Sequence, residues 1–247
     1  MIHNPFTLQG KTILVTGASS GIGKSIAIEC SKMGATLVIT GRNESRLQET
    51  LTLLQNSGHF CVVSDLSQKD DLDNLVEQLP ALDGVVHCAA ILKKLPLKFI
   101  NEMAWQETIE TNLFAPALLS QRLVKKNKIK EASSIVFISS IASTVASFGN
   151  ISYMASKGAI NSLSRGMALE LASKKIRVNT VQPALIQTNL TDKALSEEDL
   201  NNYLLKFPLG RFGKPEEVAY AVIYLLSDAS QWVTGTSITI DGGVTLR

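Results

Sequence analysis

The chain is poor in the residues that build metal and redox sites. Its three histidines, His3, His59 and His87, are scattered and show no metal-ligand spacing. Its three cysteines, Cys30, Cys61 and Cys88, form no CxxC pair. Each falls in or beside an apolar segment, so they read as reduced core thiols of a cytoplasmic protein rather than a disulfide framework. No apolar run reaches the ~18 residues that span a bilayer, which excludes a membrane helix. The first residues, MIHNPFTLQGK, lack a basic start followed by an apolar run, so no signal peptide is expected. Charge is nearly balanced, with 24 Lys and Arg against 22 Asp and Glu, too mild an excess for a nucleic-acid partner. Internal repeats and low-complexity linkers are also missing.

What remains is a regular alternation. Short β-branched runs at 12–16, 36–40, 60–64, 84–89, 134–139, 177–181 and 237–240 read as strands. Between them lie stretches of helical periodicity at 24–33, 44–54, 69–79, a long one from about 101 to 126, 152–173 and 216–227. Near-continuous apolar strands separated by helices imply a parallel sheet covered on both faces. With right-handed crossovers it is doubly wound, so the expected fold class is α/β, a single Rossmann-type domain over 1–247. One stretch, 185–207, is polar and rich in Asn, Asp, Glu and Lys, and reads either as a lid over a cleft or as a surface excursion.

Two motifs carry chemistry. At 153–157 the chain reads YMASK, with Ser140 thirteen positions before the tyrosine. Positions i and i+4 share a helix face, so Tyr153 and Lys157 project into one space. A nearby cation favours a phenolate, and such a pair can exchange a proton with a substrate oxygen. The spacing is short and also arises on ordinary surface helices. The second motif, TGASSGIG at 16–23, sits where the first strand turns into the first helix. Glycines there allow a tight turn and close approach to a pyrophosphate, and the helix N-terminus behind them favours an anion.

Together with Asp65-Leu66, Asn112 in TNLFAP, RVNTVQP at 177–183 and IDGG at 240–243, these motifs resemble the short-chain dehydrogenase/reductase family. The likeness runs from about residue 10 to residue 243. Its C-terminal third looks most like bacterial 3-oxoacyl-[acyl-carrier-protein] reductases of fatty acid synthesis. The resemblance implies seven parallel strands in the order 3-2-1-4-5-6-7 and a homotetramer using the helices around 101–126 and 152–174. It implies Tyr153 as general acid or base, Lys157 as the group that lowers its pKa and holds the nicotinamide ribose, and Ser140 as a partner of the carbonyl oxygen. Asn112 would support a water chain from the lysine. The cofactor would lie against Gly17, Ser19, Ser20, Gly21, Ile22, Gly23, Arg42, Asp65, Leu66, Ala89, Pro183, Ile186 and Thr188, besides Tyr153 and Lys157. Asp65 would meet the adenine and Thr188 the carboxamide.

Some residues depart from the family pattern. Asn-Asn-Ala-Gly after the fourth strand is His87-Cys88-Ala89-Ala90, and Pro-Gly after the sixth is Pro183-Ala184. His87 reads as an inward strand residue bonded to backbone. An NAD-preferring fold places an acid at the end of the second strand. Here Gly41 and then Arg42 stand there, and Ser20 adds a donor, so NADP(H) is expected over NAD(H). The expected substrate is a 3-oxoacyl thioester on acyl carrier protein. Lysines at 93, 94 and 98, at 125, 126, 128 and 130, and at 174 and 175 with Arg177 would form a rim that steers the acidic carrier. The alternatives are a dehydrogenase of a small polyol, sugar acid or other secondary alcohol, and a non-catalytic nucleotide sensor on the same fold.

Overall fold

The structure is a computed structural model and describes residues 4–188 and 204–246. Among these residues seven strands alternate with helices. These are β1 (Thr12–Thr16), α1 (Gly21–Lys32), β2 (Thr36–Gly41), α2 (Glu44–Thr52), β3 (Phe60–Val63), α3 (Lys69–Gln78) and β4 (Leu82–His87). There follow α4 (Glu102–Ile109), α5 (Ala115–Lys125), β5 (Ile129–Ile138), α6 (Ile151–Glu170), β6 (Arg177–Pro183), α7 (Pro215–Leu226) and β7 (Ser237–Ile240). All neighbouring strands pair in parallel, in the expected order 3-2-1-4-5-6-7.

The central strands are apolar on both faces because both faces are covered. On one, α1, α2 and α7 pack Ile26, Cys30, Leu47 and Val222 against Ile13, Val15 and Ile39. On the other, α3, α5 and α6 pack Leu75, Leu119 and Ile160 against Leu14, Val85 and Phe137. Arg177, at the start of β6, is buried and caps the end of α7. Its guanidinium donates to the carbonyls of Ser227 and Val233 at 3.2 and 3.4 Å. A planar fork at a helix C-terminus satisfies carbonyls that the helix leaves open.

Three boundaries differ from the sequence expectation. The long helix over 101–126 is broken by a π-helical turn, Glu110–Phe114. Pro116 has no N–H to give the carbonyl four residues back, that of Asn112, so the α ladder cannot close there. β4 ends at His87, not Ala89. The N–H groups of Cys88 and Ala89 leave the ladder and donate to Thr16 Oγ1, at 3.0 and 3.2 Å. β5 begins at Ile129, five residues early, through a register shift against β4 between Leu82 and Gly84. Of the segment 185–207, residues 189–203 lie outside the described residues. Its described ends are anchored: Ile186 and Phe207 are buried, and Phe207 meets Phe212 edge-on at 5.4 Å.

Candidate active site

The residues singled out in the sequence gather at the C-terminal ends of β1 to β6. α6 sets Tyr153 and Lys157 one turn apart, and the Lys157 Nζ lies 5.5 Å from the centre of the Tyr153 ring. Lys157 is 3% exposed. Its ammonium donates to the Ile138 carbonyl at 2.7 Å, where β5 ends. One residue further, Ser139 donates to the backbone carbonyl of Lys157 at 3.2 Å. Ser140 follows directly. Its hydroxyl accepts from Ala142 N–H at 3.1 Å and faces the Pro183 carbonyl at 3.5 Å. Strand end and helix are thus stitched so that serine, tyrosine and lysine share one space.

Asn112 completes the group from the π turn. Its Oδ1 accepts from Ile91 N–H at 2.8 Å, and its Nδ2 donates to the Ile91 carbonyl at 2.9 Å and to Ser156 Oγ at 3.1 Å. The side chain ties the segment after β4 to the helix that carries Tyr153 and Lys157. Both partners are distant in sequence, 21 and 44 positions away.

Burial dominates the electrostatics. It pushes the Tyr153 phenol up to about 12, with Ser140 beside it pulling the other way, and pushes the Lys157 amine down to about 8. For the phenol the net direction is upward because desolvation of the phenolate outweighs the groups that lower it, and the ammonium is held on the Ile138 carbonyl. Cys88 stands close enough to both to act on their charge, and burial raises its own thiol to about 12, so it is neutral. His87 is buried, lowered by burial to about 3, and therefore neutral. It stacks on Phe137 at 4.6 Å and meets Ser120 Oγ at 2.8 Å through Nε2. It is an inward strand residue as expected, but its partner is a side chain on α5 rather than backbone. A strand residue's partner on a helix 33 positions away leaves no local signal.

The glycine turn fits a dinucleotide. Gly17 and Gly21 have φ of +67° and +53°, and a Cβ on Gly17 would stand 2.8 Å from Ala89 backbone. One on Gly23 would stand 2.4 Å from the Gly17 carbonyl, so both positions need glycine. Ser20 caps α1 by position yet makes no side-chain cap bond, which leaves the first-turn N–H groups to an anion. Ile22 lies within that turn. Thr188, after β6, reaches over Gly21: a Cβ there would meet its methyl group at 3.5 Å. The hydroxyl beside Gly41 is that of Ser19, 3.4 Å from where a Cβ would sit, and Arg42 is exposed next to it. After β3, Asp65 accepts from the N–H and hydroxyl of Ser67 at 3.1 and 2.8 Å, and Leu66 packs on the core. Ala89, Pro183 and Ile186 follow or end β4 and β6, as the fold requires of a crevice beyond the strand ends.

The expected basic rim is not continuous within one chain. Lys125, Lys126 and Lys128 precede β5 and Lys130 lies at its start, and Lys174, Lys175 and Arg177 precede or begin β6, so they lie at the opposite end of the strands. Lys126 pairs with Glu77 and Lys130 with Asp83, and Lys128 bonds the carbonyls of Glu77 and Leu79. Of these basic groups, Lys93, Lys94 and Lys98 follow the end of β4, at the edge where the site opens.

Comparison with known proteins agrees with this geometry. A family model described as Enoyl-(Acyl carrier protein) reductase matches residues 17–245. The chain is 35% identical over 237 residues to the 3-oxoacyl-[acyl-carrier-protein] reductase of Rickettsia prowazekii, covering 96% of this chain and 98% of that one. A proposed 2-deoxy-D-gluconate 3-dehydrogenase from Agrobacterium tumefaciens, solved with bound NADP, superposes with a TM-score of 0.90 at 29% identity. That match covers 99% of this chain and all of the other. A glucose/ribitol dehydrogenase of Brucella melitensis does so with a TM-score of 0.91 at 33% identity, covering 98% and 99%. The chain belongs to the short-chain dehydrogenase/reductase family, and is an NAD(P)-dependent oxidoreductase acting on CH–OH groups. The sensor alternative is set aside. No helix among the described residues is long and apolar enough to cross a membrane, and no group of His, Cys, Asp or Glu among them could hold a metal ion.

The buried lysine has a measurable consequence. Below pH 8 it is protonated in both folded and unfolded chains, and the cost of burying the charge is fully felt. Between pH 8 and about 10.5 the unfolded chain binds a proton that the folded chain does not, so stability rises with pH. Tyr153 acts in the other direction only above pH 10. The Lys157→Met variant, unfolded in urea alongside the unmodified protein, should gain least from a rise between pH 7 and 9.5. The difference in stability gained over that range should be on the order of 1–3 kcal/mol. Parallel pH profiles would contradict the assigned burial.

Proposed function

We propose that the protein is an NADPH-dependent ketoreductase whose substrate is a 3-oxoacyl thioester on acyl carrier protein. The observation that carries the reaction type is the Tyr153–Lys157 pair held beside Ser140 at the strand ends, next to the glycine turn. Ser140 and Tyr153 hydroxyls would both bond the keto oxygen and fix its carbonyl carbon for attack. A bound nicotinamide supplies the hydride. Tyr153, kept neutral by burial, would give its proton to the developing alkoxide. Lys157 would hold the ribose, and Asn112, through the segment after β4 and Ser156, would keep the proton path to the lysine open.

For the cofactor, Gly41 in place of an acid, the Ser19 hydroxyl beside it and the exposed Arg42 suit a 2′-phosphate. Aspartate at 41 fits with small shifts, because its Cβ would meet Ser19 Oγ at 3.4 Å and Leu47 at 3.6 Å. For the carrier-bound substrate, the support is the identity to the Rickettsia reductase over nearly the full length. A small polyol or sugar acid is the second reading, favoured by the solved structures from Agrobacterium and Brucella. For assembly, we propose a homotetramer in which α4, α5 and α6 meet their counterparts. Met103, Leu118 and Leu169 on these helices, and Phe114 on the π turn between α4 and α5, are 44–80% exposed in one chain.

Four measurements test these readings. NADPH oxidation should be fastest with an acetoacetyl thioester in a panel that includes keto-sugars and keto-acids, and activity confined to sugars would favour the second reading. Tyr153→Phe should lower turnover by about 10²-fold or more while NADPH still binds, read by its fluorescence. Gly41→Asp with Arg42→Ala should move the ratio of kcat/KM for NADPH over NADH by about tenfold or more toward NADH. Equal values in the unmodified protein would contradict the preference. Light scattering should give the mass of four chains, and a monomer at micromolar concentration would contradict the assembly.

A further inference from the structure

Two segments at the open edge of the site form one surface. Residues 91–100 leave the end of β4, where Asn112 grips Ile91. Residues 144–150 run between Ser140 and Tyr153. Leu95 N–H donates to the Gly149 carbonyl at 2.7 Å, and the Lys94 side chain lies against Gly149. The joined surface is apolar and unpartnered: Leu97 is 70%, Phe99 66% and Phe148 82% exposed. Residues 91–101 carry three lysines and no acid. Lys93 pairs with Glu107, whereas among the described residues no carboxylate pairs with Lys94 or Lys98. Lys98 sits over the Phe99 ring, 5.8 Å from its centre.

An exposed apolar patch flanked by unpaired cations and set beside a reaction site is a docking surface. We propose that this surface, centred on Lys94, Lys98, Leu97, Phe99 and Phe148, receives the acidic carrier that presents the thioester to the site of the same chain. The proposal rests on the substrate reading above. It goes beyond it by assigning the contact to these two segments. The basic groups at the far end of the strands are a poor match, being engaged by Glu77, Asp83 and backbone carbonyls or, for Arg177, buried. Charge complementarity selects an acidic partner, and the apolar side chains supply the contact that holds it once steered.

The test uses the full chain, fluorescently labelled apo acyl carrier protein for binding, and two acetoacetyl thioesters, one on the carrier and one on N-acetylcysteamine. Lys94→Glu with Lys98→Glu should weaken carrier binding and raise KM for the carrier-bound thioester by about tenfold or more, and should flatten their salt dependence. The small thioester should be reduced at the unmodified rate, which also shows that the variant is folded. Phe148→Ser should weaken carrier binding with its salt dependence kept. Carrier binding unchanged in these variants would overturn the docking surface and leave the substrate assignment standing. Carrier binding lost in the variants, but with no thioester turned over by the unmodified enzyme, would overturn the substrate assignment alone. A fall for both thioesters together with a loss of oligomeric mass would show that the surface is buried between copies, and would overturn the proposal.

Discussion

A buried amine is the constraint on which the site depends. Lys157 is 3% exposed in a sheet-and-helix core, where an ammonium is costly unless it is held. The Ile138 carbonyl holds it, and that carbonyl is open because β5 ends there. The bond therefore fixes how far α6 sits beyond the strand end. The Ser139 hydroxyl on the Lys157 carbonyl fixes the same distance from the helix side. Once both bonds are made, Tyr153 is placed one turn earlier on the helix and Ser140 directly after the strand. The triad's geometry follows from two hydrogen bonds that involve neither the tyrosine nor the Ser140 hydroxyl.

The second constraint acts on the other side. An α-helix running unbroken over 101–126 would carry Asn112 past the segment that follows β4. The π turn and Pro116 break the ladder at that point, and the amide is free to make three bonds across 21 and 44 positions of sequence. A break at a functional side chain is a recurring use of the π turn. It also explains why residues 91–100 hold a defined course: Ile91 is gripped at their start, and Leu95 is bonded to Gly149 further on.

The fold was legible because its signals are local. β-Branched runs, helical periodicity and a glycine turn between strand and helix place six strands and the first helix within a few residues, and give the parallel sheet. The strand order and the joint roles of Ser140, Tyr153 and Lys157 came from family resemblance rather than from periodicity. What stayed illegible is long-range. Nothing local says that Thr16 Oγ1 takes the N–H groups of Cys88 and Ala89 and so ends β4 at His87. The proline at 116 was readable as a helix breaker, and its missing N–H is the signal that could have found the π turn. The basic rim failed for a topological reason: lysines counted along the sequence say nothing of which end of the sheet they occupy, until each is assigned to the start or the end of a strand.

Burial also sets the protonation state of the proposed site. It drives Tyr153 up to about 12 and Lys157 down to about 8, so near neutral pH the phenol keeps its proton while the amine still carries most of its charge. A neutral phenol can donate to a forming alkoxide at once. The reverse reaction needs a phenolate to accept the alcohol proton, and forming it in this environment means ionising a desolvated group far below its pKa. Cys88 does not ease that cost, because its own thiol is raised to about 12 and stays neutral beside the pair. Near neutral pH the phenol therefore stands as a proton donor, and its phenolate becomes accessible only as the pH rises. That protonation state comes from the packing of α6 on β5, which desolvates both groups.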